Sequence, residues 1–227
     1  MTLSLSRRAL LAMSATYAAL SATGVSADTP AAATPAAPAT AIDPASLGDY
    51  GIGDKAAKIT IVEYLSLTCP HCEHFHANIY PKLKADYIDT GKVRLEYREV
   101  YFDQLGLLGA MLARCGGEMR YMGIVDMLYD KQRDWAGAAD MGAATDAMKK
   151  IARAAGMTDD QSDKCLHDNA MAEALVAHYQ ANIAKDFPGD SFQGTPSFIV
   201  NGVVNTSMNS NMDYTDLQKI LDAELAK

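Results

Sequence analysis

The chain predicts an α/β fold interrupted by an all-helical insertion, on three observations. A β-branched apolar run, Ile59-Thr60-Ile61-Val62-Glu63-Tyr64-Leu65, leads directly into helical spacing. The stretch from Gln104 to about Phe187 then reads as helix throughout. Strand and turn chemistry resumes at Ser197-Phe198-Ile199-Val200 and ends in a closing amphipathic helix.

Taken in order, the N-terminus reads as a targeting segment. Ser6-Arg7-Arg8 supplies positive charge, and the apolar stretch Ala9 to Leu20 is too short to span a bilayer. Val25-Ser26-Ala27 offers small residues for cleavage after Ala27, so residues 1–27 are expected to be a signal peptide. The paired arginines fit either a twin-arginine export signal or an ordinary basic start. Residues 28–44 are nearly all Ala, Pro and Thr, with little to bury, and read as a linker. The folded part then begins near Ala45 and is the size of one domain.

Lys58 to Leu65 is expected to be a strand covered on both faces, since its apolar character is almost continuous. A helix over Glu73–Thr90 should carry Phe75, Ile79, Leu83 and Tyr87 as a core-facing stripe, kinked or broken at Pro81. Gly91 stops it, and Val93 to Phe102 is the next strand, giving a parallel strand–helix–strand unit. In the helical block, Leu105, Leu108, Met111 and Leu112 form one apolar face, followed by Met119, Met122, Val125 and Leu128. Further helices are expected near Met141–Ala155, Asp159–His167 and Met171–Lys185. Met111, Met119, Met122 and Met127 could line an adaptable groove, but helical spacing favours core filling. Asn201-Gly202 signals a two-residue hairpin, and Asp213 should cap a last helix holding Leu217, Ile220, Leu221 and Leu225.

The formal charge is −8, and removing Arg7 and Arg8 leaves 18 basic against 28 acidic residues, near −10. No basic cluster suits nucleic acid, and no later run reaches the length of a membrane helix.

The chemistry concentrates at Cys69-Pro70-His71-Cys72, between the strand and the helix. That context places the first sulfur at a helix N-terminus, where unpaired N–H groups and the helix dipole favour a thiolate. The thiolate is the attacking species in thiol–disulfide exchange and also a good leaving group. A bare C-x-x-C also serves zinc, and His74 and His76 could join the two cysteines in a metal-binding or delivery site. Four ligands within eight residues, mostly on one helix, reach tetrahedral geometry poorly, so redox chemistry is favoured and no metal or cofactor is expected beyond the disulfide itself. Cys115 and Cys165 remain, either as two buried thiols or, in an exported chain, as a structural disulfide. The disulfide is preferred, and its loop of about 50 residues would remove roughly 4 kcal/mol of unfolded-state entropy.

These features together resemble the DsbA family of periplasmic thiol-disulfide oxidoreductases, over Ala45 to Lys227. The resemblance rests on Cys69-Pro70-His71-Cys72, the preceding Val62-Glu63-Tyr64, and Gly194-Thr195-Pro196 before Ser197-Phe198. It implies a thioredoxin-like domain, residues 45–103 and 188–227, with a helical insertion at 104–187. It implies Cys69 as the exposed nucleophile, Cys72 as the buried resolving thiol, and Pro196 as a cis-proline facing them. Thr195 precedes that proline where some relatives carry Val; its backbone would meet a substrate strand. His71 would stabilise the Cys69 thiolate by a hydrogen bond or charge, unless it is merely a surface residue. Glu63 matches a buried acid able to relay a proton to or from Cys72; the bland reading is an acid at a strand edge. His74, His76, His167 and His178 are expected on exposed helix faces. The function implied is donation of the Cys69–Cys72 disulfide to folding exported proteins in the periplasm, by a monomer reoxidised by a DsbB-type membrane oxidase. The rival is a reductase or isomerase of the same fold. Isomerases of this superfamily usually carry an N-terminal dimerisation domain, where this chain has an Ala/Pro tether.

Overall fold

The structure is a computed structural model describing residues 41–227. The expected signal peptide, residues 1–27, and residues 28–40 of the expected 28–44 linker lie outside the described residues. The described chain starts with a 3₁₀ turn at Pro44–Ser46, capped by the Asp43 carboxylate. Strand β1 (Tyr50–Ile52) follows, then β2 (Ile59–Leu65), helix α1 (Pro70–Asn78), the short helix α2 (Tyr80–Leu83), a π turn over Lys84–Ile88, and β3 (Val93–Glu99). Helices α3 (Gln104–Cys115), α4 (Glu118–Asp130), α5 (Gln132–Trp135), α6 (Met141–Ala154), α7 (Asp159–Leu166) and α8 (Asn169–Asp186) fill the block between β3 and β4 (Ser197–Val200). Strand β5 (Val203–Asn205) and helix α9 (Tyr214–Leu225) close the chain.

The sheet order is β1-β3-β2-β4-β5, with β2 central and parallel to β3 while the other neighbours run antiparallel. β1 was not anticipated. Its middle residue is Gly51, where a Cβ would lie 2.4 Å from the Leu95 carbonyl oxygen, so the strand reaches β3 only because that position lacks a side chain. The helix expected over Glu73–Thr90 divides at Ile79, two residues before Pro81, and its last turn is wound as a π turn. The stripe of Phe75, Ile79, Leu83 and Tyr87 is nevertheless buried. Asn201 and Gly202 both have positive φ, 49° and 82°, as a type I′ hairpin requires.

Alternation along β2 divides the interior. Ile59, Ile61 and Leu65 join the main core with Leu95, Phe75, Leu112, Ile124, Leu128 and Trp135. The insertion therefore shares one core with the sheet. Val62 and Tyr64 face the other way, into a smaller cluster with Val100, Phe187 and Ile199. That second face is covered by α8 and the loop behind it, tied down by polar bonds. The Tyr64 hydroxyl donates to Asp186 at 2.6 Å, and Arg98 pairs with both Asp186 and Asp49. In the main layer, Arg114 grips Glu99 with two nitrogens, at 2.6 and 2.8 Å, while the Tyr121 hydroxyl donates to the same carboxylate. A buried ion pair persists only when its charges are matched in this way.

Two expectations about single side chains are corrected. Met119 is 99% exposed, because it lies in the first turn of α4 and faces outward, while Met111 is buried and Met122 and Met127 are partly so. Asp213 occupies the N-cap position of α9 with extended backbone, but its side chain makes no capping bond.

Candidate active site

The turn Ser66–Cys69 carries the chain from the central strand to α1, and Cys69 is the N-cap residue with extended φ and ψ of −78° and 122°. Pro70 occupies the first helical turn, where its missing N–H leaves no bond unmade. Cys69 is half-buried, whereas Cys72, a turn further in, is fully buried in the main core. Both are free thiols, the reduced state of the pair.

The two sulfurs have opposite environments. The Cys69 thiol is pushed down to about 5. The Cys72 thiol donating to its sulfur is the largest cause; partial burial opposes, and Thr195 and the backbone N–H groups of Cys72 and His71 assist. Cys72 moves well up, first because it is buried, then because it donates to Cys69 and sits near Glu63. Thr195 meets Cys69 in either state. The protonated thiol donates to the Thr195 carbonyl at 3.4 Å. The Thr195 hydroxyl is buried and, among the described residues, has no other partner, so it can donate to the sulfur once that is ionised. The Thr195–Pro196 peptide bond is cis.

Glu63 lies on the face of β2 that carries Ile61 and Leu65, is 2% exposed, and is far from a strand edge, since β2 is flanked on both sides. Burial raises its carboxyl to about 8, with the charge on Cys69 adding to the effect. A carboxyl held near neutrality beside a buried thiol can give or take a proton at working pH.

His71 is exposed, and what it contributes to Cys69 is its backbone N–H; the expected ring contact is replaced by a main-chain one. The structure does not bring His74 and His76 to the cysteines. His74 reaches the Ser210 carbonyl through Nδ1 at 2.8 Å. His76 is not on an exposed face: it is buried, stacks on Tyr80, and its Nε2 meets Asp126 at 2.9 Å. Its position on α1 faces α4, which sequence periodicity could not reveal. His178 is also half-buried, between the Pro44 carbonyl and Asp49, while His167 is exposed. Among the described residues, no group of three or more His, Cys, Asp or Glu side chains could hold a metal.

The other two cysteines, Cys115 and Cys165, are joined, with Cα atoms 6.1 Å apart and a sequence separation of 50. Two further residues escaped sequence reading. Gln132, at the start of α5, donates through Nε2 to the carbonyls of Leu67 and Cys69 at 2.8 and 3.0 Å, and Tyr129 donates to the Ser66 carbonyl at 3.3 Å. Nothing in the local pattern Lys131-Gln132-Arg133-Asp134 marks a buried amide.

The thioredoxin family profile matches residues 46–223. The chain belongs to the thioredoxin family. Within that family its relatives are DsbA-like. A Rickettsia bellii protein, provisionally named a protein-disulfide oxidoreductase, is 35% identical over 175 residues, covering 77% of this chain. This chain spans only 65% of that relative's length. The crystal structure of alpha-DsbA1 from Wolbachia pipientis superposes with a TM-score of 0.65 at 26% identity, covering 77% of this chain and 89% of that one. A structure titled protein-disulfide isomerase from Novosphingobium aromaticivorans gives 0.64 at 26% identity, covering 79% and 98%.

Proposed function

We propose that this thioredoxin-family chain is a thiol-disulfide oxidoreductase that donates its Cys69–Cys72 disulfide to exported proteins as they fold. The observation that carries the reading is the opposed state of the two sulfurs, with Cys69 held as a thiolate at neutral pH and Cys72 held as a thiol. Whatever stabilises the dithiol form makes the disulfide a stronger oxidant.

The reaction balances through the pair. A substrate thiolate attacks Cys69 Sγ, the more accessible sulfur; the Cys69–Cys72 bond breaks and Cys72 leaves, taking a proton from the Glu63 carboxyl. A second substrate thiolate then attacks the substrate sulfur of the mixed disulfide, and Cys69 leaves as the thiolate that Thr195 and the helix N-terminus receive. The substrate loses two electrons and gains a disulfide; the protein gains the electrons and becomes the dithiol. Thr195, with its backbone beside Cys69, is the natural contact for an extended substrate segment.

Export through residues 1–27, residence in the periplasm, a monomeric state and reoxidation by a DsbB-type membrane oxidase complete the proposal. The reductase or isomerase alternative has one observation in its favour, the similarity to the Novosphingobium structure titled an isomerase. The deciding experiment compares the unfolding of the oxidised and reduced protein. An oxidant is more stable reduced, because the disulfide form forgoes the thiolate's hydrogen bonds. A disulfide form more stable than the dithiol form would reverse the assignment.

A further inference from the structure

The turn that presents Cys69 is held from outside the thioredoxin core. Ser66 O accepts the Cys69 N–H at 3.1 Å, and Cys69 O accepts the first helical bond from Glu73 N at 3.1 Å. The insertion adds further bonds to the carbonyls of this turn. Gln132 places one amide nitrogen between Leu67 O and Cys69 O, so its two hydrogens match two acceptors. The side chain is 8% exposed, and the helix that carries it is anchored by Trp135, fully buried, whose indole N–H donates to Leu128 O at 2.8 Å. Because the peptide after Cys69 leads into Pro70, it has no N–H of its own with which to fix its plane.

We propose that Gln132 is a positioning residue for the nucleophile: its bidentate amide fixes the direction of the Leu67 and Cys69 carbonyl dipoles, and with them the aim of the helix N–H groups on the Cys69 sulfur. The reactivity of Cys69 is thereby set by the helical insertion as well as by its own helix. A carbonyl oxygen released from Gln132 is a negative dipole end close to an anion, and it disfavours ionisation of that sulfur. The groups that act on Cys69 itself are Cys72 on the same helix, Thr195 before β4, and Glu63 on β2. Around Gln132, the shallow depression it shares carries Glu73, Asp130 and Asp134 against Lys131 and Arg133, near balance in charge. The amide, which is neutral, therefore acts by direction and hydrogen bonding.

The inference rests on Cys69 being the nucleophile, and its test is kept separate from the direction of exchange. The thiolate absorbance near 240 nm of the reduced protein is titrated for wild type, Gln132→Met and Gln132→Glu. Methionine preserves length and removes both donor bonds, of which the one to the Cys69 carbonyl lies nearest the sulfur, and should raise the midpoint by about one pH unit. Glutamate, which as a carboxylate cannot donate and adds a negative charge, should raise it further. Trp135→Phe removes the indole bond from the same short helix while keeping the amide, and should lower thermal stability without moving the midpoint. An unmoved midpoint in both Gln132 variants overturns the inference, as does an equal shift in Trp135→Phe. Neither result depends on whether the protein oxidises or reduces its substrates, which the oxidised-versus-reduced unfolding comparison decides by itself.

Discussion

The molecule holds two cysteine pairs at opposite ends of its helices. Cys69 is the N-cap of α1, with Cys72 one turn inward. Cys115 is the last residue of α3 and Cys165 lies in the last turn of α7. Helix N-termini favour an anion and C-termini disfavour one, so the same element has opposite effects on the two pairs. At the first pair, breaking the S–S bond releases a sulfur into a nest of donors. At the second, both released sulfurs would sit against the negative ends of two helices, and reduction is correspondingly resisted. Helix placement thus favours opening of the first pair and closure of the second, and at Cys69 it adds to the hydrogen bonds from Cys72 and Thr195.

Variants can break or sharpen that contrast. The largest effect belongs to the active pair. Cys72→Ser should accumulate mixed disulfides through Cys69, since no resolving thiol remains, whereas Cys69→Ser should trap few, its remaining sulfur being fully buried. Non-reducing gels of each variant with a reduced unfolded substrate make the comparison; equal trapping would show that the two sulfurs are not differentiated. Next in size, replacing both Cys115 and Cys165 by Ala should cost roughly 4 kcal/mol of stability by the loop-closure argument, read by denaturant unfolding. The Cys69 titration midpoint should not move, and a parallel shift there would mean that the second pair is part of the active site.

A third effect concerns pH. Cys69 is depressed in the folded dithiol form to about 5, so its stabilisation is complete above the ordinary thiol range and is lost progressively as pH falls to about 5. The disulfide form has no such group. The stability difference between reduced and oxidised protein should therefore shrink between pH 9 and pH 5 and level off below, as unfolding of both forms across that window will record. Glu63 acts with the opposite sign: its raised carboxyl makes the fold lose stability as pH rises from about 4.5 to about 8. Glu63→Gln should remove that loss in both redox forms and slow exchange through Cys72. The smallest effect is expected from Thr195→Val. It deletes a hydroxyl that has no partner among the described residues other than the Cys69 sulfur, so the thiolate midpoint should rise by a fraction of a unit, with a matching small loss in the reduced form and the stability of the disulfide form unchanged. A clear drop in the stability of the disulfide form would reveal a structural bond at Thr195.

Sequence reading reached the parts of the fold in which pattern and packing coincide. β2, the Phe75–Tyr87 stripe, the Asn201-Gly202 hairpin and the helices from α6 to α8 all follow from periodicity or turn chemistry, within a residue or two. It missed β1, which has three residues and depends on a close backbone approach at Gly51. At the site, the placement of Cys69 and Cys72 was legible from the motif, and the burial of Glu63 and the cis bond before Pro196 from the family resemblance. Gln132, Tyr129 and the His76–Asp126 contact were not, because each joins segments about 50 or more residues apart through a single side chain. His71 was over-read for a related reason: the residue is in the right place, but the group that acts is its main chain.

The sheet's two faces are unequally dressed, and this bears on native-state hydrogen exchange. The main face is locked to the insertion by a continuous core, while the other is covered by α8 and the Phe187–Phe192 loop through a small aromatic cluster and the Arg98–Asp186 seam. Amides of α8 should open sub-globally before those of β2. The segment leading to Thr195 continues from that lighter layer, whereas the Cys69 turn is clasped on the heavier side. On that expectation the Thr195 side of the site belongs to the less stable unit and can loosen while the turn that carries the Cys69 sulfur stays folded.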